Sequence, residues 1–225
     1  MTTAPPVQSI AQAALPPARV LDLGRREYGE TWELQRRLVA ERQRDEIPDT
    51  LVLAEHPDVI TLGRGTHRDN LLETAGLPIF EIERGGDVTY HGPGQLVGYP
   101  IFLLRPGERD LHAYLRGLEE AIIGALGELG LPGGRRTGWT GVWSTEEPAR
   151  KLASIGIAVK RWVTLHGFAL NVSTDLSRFT AINPCGLDAA VMSSVSACLG
   201  RTVTLDEMRG PIVRQFGQVF GRTFA

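Results

Sequence analysis

Apolar and polar residues alternate, or gather in short blocks, over much of this chain, and three stretches shift to the wider spacing of a helix. Positions 19–23, 50–54, 59–62 and 79–83 read as strands; the second and third of these are split by the turn Glu55-His56-Pro57-Asp58. Positions 87–90 and 95–103 read as two strand segments joined by the tight loop His91-Gly92-Pro93-Gly94. A second strand-rich block follows at 140–144, 152–162 and 165–172. Positions 31–44 carry Trp32, Leu34, Leu38 and Val39 among charges, a moderate helix pattern. The clearest helix spans 110–129. Asp110 serves as its N-cap, and Leu111, Tyr114, Leu115, Leu118, Ile122, Ala125, Leu126 and Leu129 give the repeat. Gly130 ends it, and 131–134 continues as loop. A last helix starts at the capping box Thr204-Leu205-Asp206-Glu207, and Gly210-Pro211 is expected to kink or restart it before Phe216, Val219 and Phe220 pack.

Strands and helices in this order predict one mixed α+β domain over 19–225, without internal repeats or a dividing linker. Residues 1–18 are rich in Ala, Pro, Thr and Gln and read as a mobile tail without a recognisable export signal. With 225 residues the chain can bury a substantial core. A net charge of -2 gives no global basic field for nucleic acid or an anionic membrane, and no apolar run approaches a bilayer span. Two cysteines, Cys185 and Cys198, without a Cys-x-x-Cys, suit a reducing cytoplasm better than a disulfide framework. The basic residues are lopsided: of 24 Lys plus Arg, only Lys151 and Lys160 are lysines. Lysine, unlike arginine, can give up a proton when its surroundings lower its pKa, so each deserves inspection.

Three segments can carry chemistry. In Arg84-Gly85-Gly86-Asp87-Val88-Thr89-Tyr90-His91-Gly92-Pro93-Gly94-Gln95, five of twelve residues are Gly or Pro, yet the segment lies between strands. It fits a decorated hairpin, or a backbone that approaches a ligand closely. It lacks the Gly-Lys-Ser/Thr of a P-loop, and Val97 occupies the place of the third glycine in a dinucleotide fingerprint. The second segment pairs Lys151-Leu152-Ala153-Ser154-Ile155-Gly156 with Leu165-His166-Gly167-Phe168-Ala169-Leu170-Asn171, two strands whose small residues leave room for a ligand. A lysine merely extending to solvent is the plainer reading of Lys151. The third is Ile182-Asn183-Pro184-Cys185-Gly186-Leu187. Flanking Pro and Gly place Cys185 on a loop with little crowding around sulfur, whereas Cys198 reads as a small core residue. A nucleophilic thiol needs a nearby cation or helix N-terminus, which Lys151 or a histidine can supply. The histidines His56, His67, His91, His112 and His166 show no metal spacing, so no metal site is expected. His112 reads as a surface residue, while His91 and His166 sit beside glycines in the pocket segments.

Taken together, these segments resemble the lipoyl(octanoyl) transferase family over residues 51–221, in the family's order and spacing. The resemblance implies a mixed β-sheet flanked by helices, like the catalytic domains of lipoate and biotin protein ligases. It implies a catalytic pair, Cys185 and Lys151, and an acyl site made by Arg84, Gly85, Gly86, Asp87, Val88, Thr89, Tyr90, His91, Ser154, Ile155, Gly156, Gly167, Phe168 and Ala169. Auxiliary roles for His166 and Asn171 stay open. The implied reaction passes octanoyl from octanoyl-acyl carrier protein through Cys185 to a lysine of lipoyl domains, those of 2-oxoacid dehydrogenase complexes and the glycine cleavage H protein. It is implied to run without ATP or any cofactor. The alternatives are an ATP-dependent lipoate- or biotin-type ligase, which would not need Cys185, and a non-catalytic module that binds acyl thioesters. The approach to Lys151 through Glu146-Glu147-Pro148 and the Gly210-Pro211 pair depart from the family pattern. The arginines Arg36, Arg37, Arg42 and Arg44 read either as a solvated helix face or as a docking patch for the acidic carrier protein.

Overall fold

A computed structural model of the chain describes residues 17–72, 74 and 76–224, with only the backbone of Cys185. Most of the expected tail, residues 1–16, lies outside the described residues; Pro17 and Ala18 belong instead to the first strand. In chain order the elements are β1 (Pro17–Arg25), α1 (Tyr28–Gln43), β2 (Asp49–Glu55), β3 (Val59–Leu62), β4 (Ile79–Glu81), β5 (Val88–His91) and β6 (Gln95–Ile101). They continue as α2 (Leu111–Glu128), β7 (Gly133–Arg136), β8 (Trp139–Ser144), β9 (Lys151–Lys160), β10 (Val163–Asn171), α3 (Val195–Leu199), α4 (Leu205–Phe220) and β11 (Thr223–Phe224).

Eight strands form the main sheet in the order β11-β1-β2-β6-β10-β9-β8-β7, parallel at β11-β1-β2 and antiparallel from there on. A second sheet, β4-β3-β5, stands beside it. Alternation along the central strands sorts side chains to two faces. Leu51, Leu53, Leu96, Phe168 and Leu170 pack under α2 and α4, against Leu118, Ile122, Leu126, Met208, Ile212 and Phe216. Val52, Ala54, Val97, Tyr99, Ile101 and Ala169 pack with Leu38 and Val39 of α1.

Capping follows the sequence signals. Asp110 accepts hydrogen bonds from the N–H groups of His112 and Ala113, and Thr204 and Glu207 form the reciprocal box. The expected loop at 131–134 instead enters strand β7, where Gly133 and Gly134 pair with Ser144 and Trp143. The expected restart at Gly210-Pro211 does not occur: α4 runs unbroken through Pro211. Pro211 removes one backbone donor, but it is buried on the same face as Met208, Ile212 and Phe216, so core packing holds the helix together.

Candidate active site

The glycine-rich segment leaves β4 and is fastened before it reaches β5. Arg84, nearly buried, donates from Nη2 to the Thr61 carbonyl (2.7 Å) and to Thr61 Oγ1 (3.0 Å), and from Nη1 to the Gly85 carbonyl (3.1 Å). The N–H groups of Arg64 and Gly65 donate to the carbonyls of Arg84 and Gly86, and the Gly85 N–H donates to the Ile157 carbonyl (2.8 Å). This close run requires glycine at position 63, where a Cβ would stand 2.3 Å from the Gly86 oxygen. The segment thereby bridges the small sheet to β9 of the large one.

Between them lies a cavity of about 490 Å³, within the ordinary range for small-molecule sites. Of the expected acyl-site residues, Arg84, Gly85, Gly86, Asp87, Val88, Thr89, His91, Ser154, Ile155, Gly156, Gly167, Phe168 and Ala169 line it, together with Lys151 and His166. Tyr90 is not on this wall: its ring packs on Phe179, and its hydroxyl donates to Asp58 Oδ1 (2.6 Å). Asn171 is not on the wall either; it is buried at the end of β10. Sequence reasoning missed Tyr28, Val97, Tyr99, Leu115, Trp139 and Ile157, which line it along with Gly65, His67, Gly138 and Thr140. Leu115 and Val97 carry the same apolar periodicity as their core neighbours, so no sequence signal separates them. Tyr28 sits three positions before the expected start of its helix.

Lys151 opens β9 and is only 2% exposed. Its Nζ stands 5.6 Å from the centre of the Trp143 ring, a distance at which an aromatic face attracts a cation. Beside its stem, Gly141 adopts φ +124°; a Cβ there would lie 3.0 Å from Lys151 Cε and 2.4 Å from the Ala153 oxygen. The Gly141 N–H donates to the buried carboxylate of Glu119 (3.0 Å), so α2 holds the strand at this point. Cys185 lies in the 3-10 turn Pro184–Gly186, and its side chain falls outside the described residues. The segment that carries it returns to Lys151: Met192 bridges Lys151 in parallel, and the Ser193 N–H donates to the Lys151 carbonyl (2.9 Å).

His91 and His166 line the cavity, and His56 packs behind His91. His56 Nδ1–H donates to the Arg26 carbonyl (2.7 Å), which leaves Nε2 to accept from the Tyr99 hydroxyl (2.7 Å). His91 Nδ1–H donates to Gln95 Oε1 (2.8 Å). Burial pushes His56 down to about 4 and His91 to about 3. His166, in a left-handed conformation (φ +58°), donates its backbone N–H to Gln35 Oε1 (2.9 Å), and its ring faces Glu83 across 3.4 Å. Burial lowers its pKa as well. His112 is exposed, as expected, and Cys198 is half-buried against the main core. Among the described residues no three His, Cys, Asp or Glu side chains gather to hold a metal, and no helix is long and apolar enough to cross a membrane.

The four arginines of α1 and its C-cap do not stand as an open patch. Arg42 is buried between Asp49 and Asp45, and Arg44 pairs with Glu46. Arg37 lies 3.7 Å from Glu41, and Arg36 stacks on Trp32 (4.0 Å) beside Glu33 and Glu83.

The sequence profile of the lipoyl protein ligase A/B catalytic domain matches residues 27–217. The chain belongs to this family. It is 52% identical over 204 residues to an octanoyltransferase of Solibacter usitatus, covering 88% of this chain and 90% of that one. It is 48% identical over 197 residues to an octanoyltransferase of Geobacter metallireducens, covering 88% and 91%. Among solved structures, lipoate-protein ligase A bound with ATP superposes with a TM-score of 0.72 at 19% identity over 93% of this chain and 87% of that one. The biotin protein ligase of Aquifex aeolicus gives 0.51 at 12% identity over 92% and 69%. These structural likenesses establish the fold, the mixed sheet flanked by helices that the resemblance implied. The family membership and the close relatives make the protein an acyltransferase.

Proposed function

We propose that this protein moves an octanoyl group from octanoyl-acyl carrier protein, through a thioester on Cys185, to a lysine of lipoyl domains in lipoate biosynthesis. The acceptors in this reading are the lipoyl domains of 2-oxoacid dehydrogenase complexes and the glycine cleavage H protein, and the setting is the cytoplasm. The observation that carries it is the return of the Cys185 segment to Lys151, at the wall of a cavity lined by Val97, Leu115, Ile155, Ile157 and Phe168. An alkyl chain fits such a wall, and burial lowers the pKa of the two imidazoles beside it, His91 and His166.

In the first half-reaction Lys151 takes the proton of Cys185, and the thiolate attacks the thioester carbonyl. The carbon–sulfur bond to the carrier breaks, and the carrier thiol leaves with that proton. In the second, the lipoyl-domain amine attacks the acyl-enzyme, Cys185 leaves as thiolate, and Lys151 takes the surplus proton from nitrogen. Thioester to amide is downhill, so the sequence of steps consumes no ATP. An ATP-dependent ligase would share the fold without needing Cys185.

Intact-mass analysis after incubation with octanoyl-acyl carrier protein tests the reading. Wild type should gain one octanoyl group and lose it on addition of a lipoyl domain, while Cys185→Ala gains none. Wild type that stays unmodified and acts only with ATP and free octanoate would transfer the assignment to the ligase chemistry.

A further inference from the structure

The backbone segment that bears Cys185 is fastened on both sides of the cysteine, and the fastenings end on side chains of the glycine-rich segment and of β10. Ahead of it, Ile182 bridges Leu71, the Leu72 N–H donates to the Ala181 carbonyl (3.0 Å), and the Asn183 N–H donates to the Asn70 carbonyl (2.9 Å). Asn70 is held in turn: its Nδ2 donates to Asp87 Oδ2 (2.5 Å). Asp87 Oδ1 accepts from the N–H groups of Val88 (2.7 Å) and His67 (3.2 Å). Behind the cysteine, Ser193 N–H reaches the Lys151 carbonyl, and Asn171 Nδ2 donates to the Ser193 carbonyl (3.0 Å). The Asn171 amide is oriented by Gln95, whose Nε2 donates to Asn171 Oδ1 (2.9 Å). Gln95 and Asn171 are each 1% exposed.

We propose that Asp87 and Asn171 are positioning residues: through Asn70 and Ser193 they set the Cys185 segment against Lys151. The proposal rests on the reading of Cys185 as the nucleophile. Asp87 borders the cavity, yet both its oxygens accept from donors of the protein, and an octanoyl chain has no donor to offer them. Asn171 stands off the cavity wall and has both ends of its amide engaged. A buried amide or carboxylate whose every bond ties chain to chain rigidifies what it joins, and the joined pieces here are the glycine-rich segment, β10 and the loop of the cysteine.

An exchange of partners separates this role from a substrate contact. Asp87→Asn turns one oxygen into an NH₂ facing the NH₂ of Asn70, and Asn70→Asp sets two carboxylates face to face. The double variant Asn70→Asp/Asp87→Asn restores one donor against one acceptor, in the reverse direction. For each, kcat and KM with octanoyl-acyl carrier protein would be measured, with iodoacetamide alkylation of Cys185 read by peptide mass and the melting temperature recorded alongside. Each single variant should lose kcat by roughly ten- to a hundredfold at a KM within about twofold of wild type, and alkylation should slow in parallel. The double variant should return to within about threefold of wild-type kcat. Asn171→Asp, which keeps the bond from Gln95 and loses the one to Ser193, should behave like the singles. A double variant no better than the poorer single, a rise in KM at unchanged kcat, or full kcat in Asn171→Asp would overturn the proposal. Wild type that takes up no octanoyl group on Cys185 would instead remove the nucleophile reading itself, and is seen before any variant is made.

Discussion

A nearly buried lysine costs the fold free energy unless its surroundings favour the charge or let it go. Lys151 has the Trp143 ring centre 5.6 Å from its Nζ, and its stem passes Gly141, where a Cβ would come within 3.0 Å of Cε. A guanidinium at this place would keep a positive charge near sulfur but could not pass a proton at neutral pH, and its planar fork is wider than an ammonium. Lys151→Arg is therefore expected to slow single-turnover octanoylation of Cys185 by roughly a hundredfold or more, the usual weight of a general acid–base. Circular dichroism would check that the variant folds, and near-normal single turnover would refute the proton-carrying role. Lysine scarcity marked Lys151 and Lys160 alike, and the family resemblance chose Lys151. Its setting was not legible there, because Trp143 and Gly141 come from the neighbouring strand and Glu119 from a helix 22 residues before Gly141.

At the scale of elements, local signals worked where the cause is local. The box at the start of α4 links Thr204 and Glu207 by hydrogen bonds in both directions, from the Thr204 N–H to Glu207 Oε2 (2.8 Å) and from the Glu207 N–H to Thr204 Oγ1 (3.3 Å). Thr204→Ala should lower the unfolding free energy by about 1 kcal/mol, read as a shift of the urea midpoint with an unchanged slope. A midpoint equal to wild type would mean that packing alone fixes this end. The strands other than β7 and β11 were read within a few residues for the same reason, since alternation is a local pattern. The failures have non-local causes. The turn between β9 and β10 uses Arg161 and Trp162 at positive φ (+51° and +64°), without the Gly or Asn that marks a two-residue hairpin, so 152–162 read as one strand. Burial against α2 and the sheet carries α4 through Pro211, where its own sequence predicts a kink or a restart. The glycine-rich segment was legible as a site, but not the inward turn of Asp87 to Asn70 or the outward turn of Tyr90 to Asp58.

Over the whole molecule, several buried polar groups stand in for contacts that short strands and loops cannot make. Asp49 accepts from Arg42 Nε (2.7 Å) and Arg222 Nε (2.8 Å), joining α1, β2 and the segment after α4 around one carboxylate. The buried histidines His56, His91 and His166 shape the response to acid. In the unfolded chain each protonates near the ordinary value of about 6.5. In the folded protein burial holds His56 at about 4 and His91 at about 3, with His166 also lowered. Between those limits the unfolded state binds more protons than the native state, so stability rises with pH and falls as pH drops below about 6.5. Each histidine contributes up to about 1.4 kcal/mol per pH unit within its own window. Glu83 acts lower down. Its hydrogen bond with His166 holds its carboxyl at about 2, so its contribution is present above the ordinary glutamate range and is lost only as pH falls toward 2. Urea unfolding at pH 7.5, 6.5, 5.5 and 4.5 should therefore show stability nearly level between the first two and declining steadily through the rest. His56→Gln should show a shallower decline, because a glutamine keeps one donor and one acceptor in place of the imidazole and has no proton to take up. Equal stability at pH 7.5 and 5.5 in wild type would mean that these imidazoles take up protons as readily in the folded protein as in the unfolded chain.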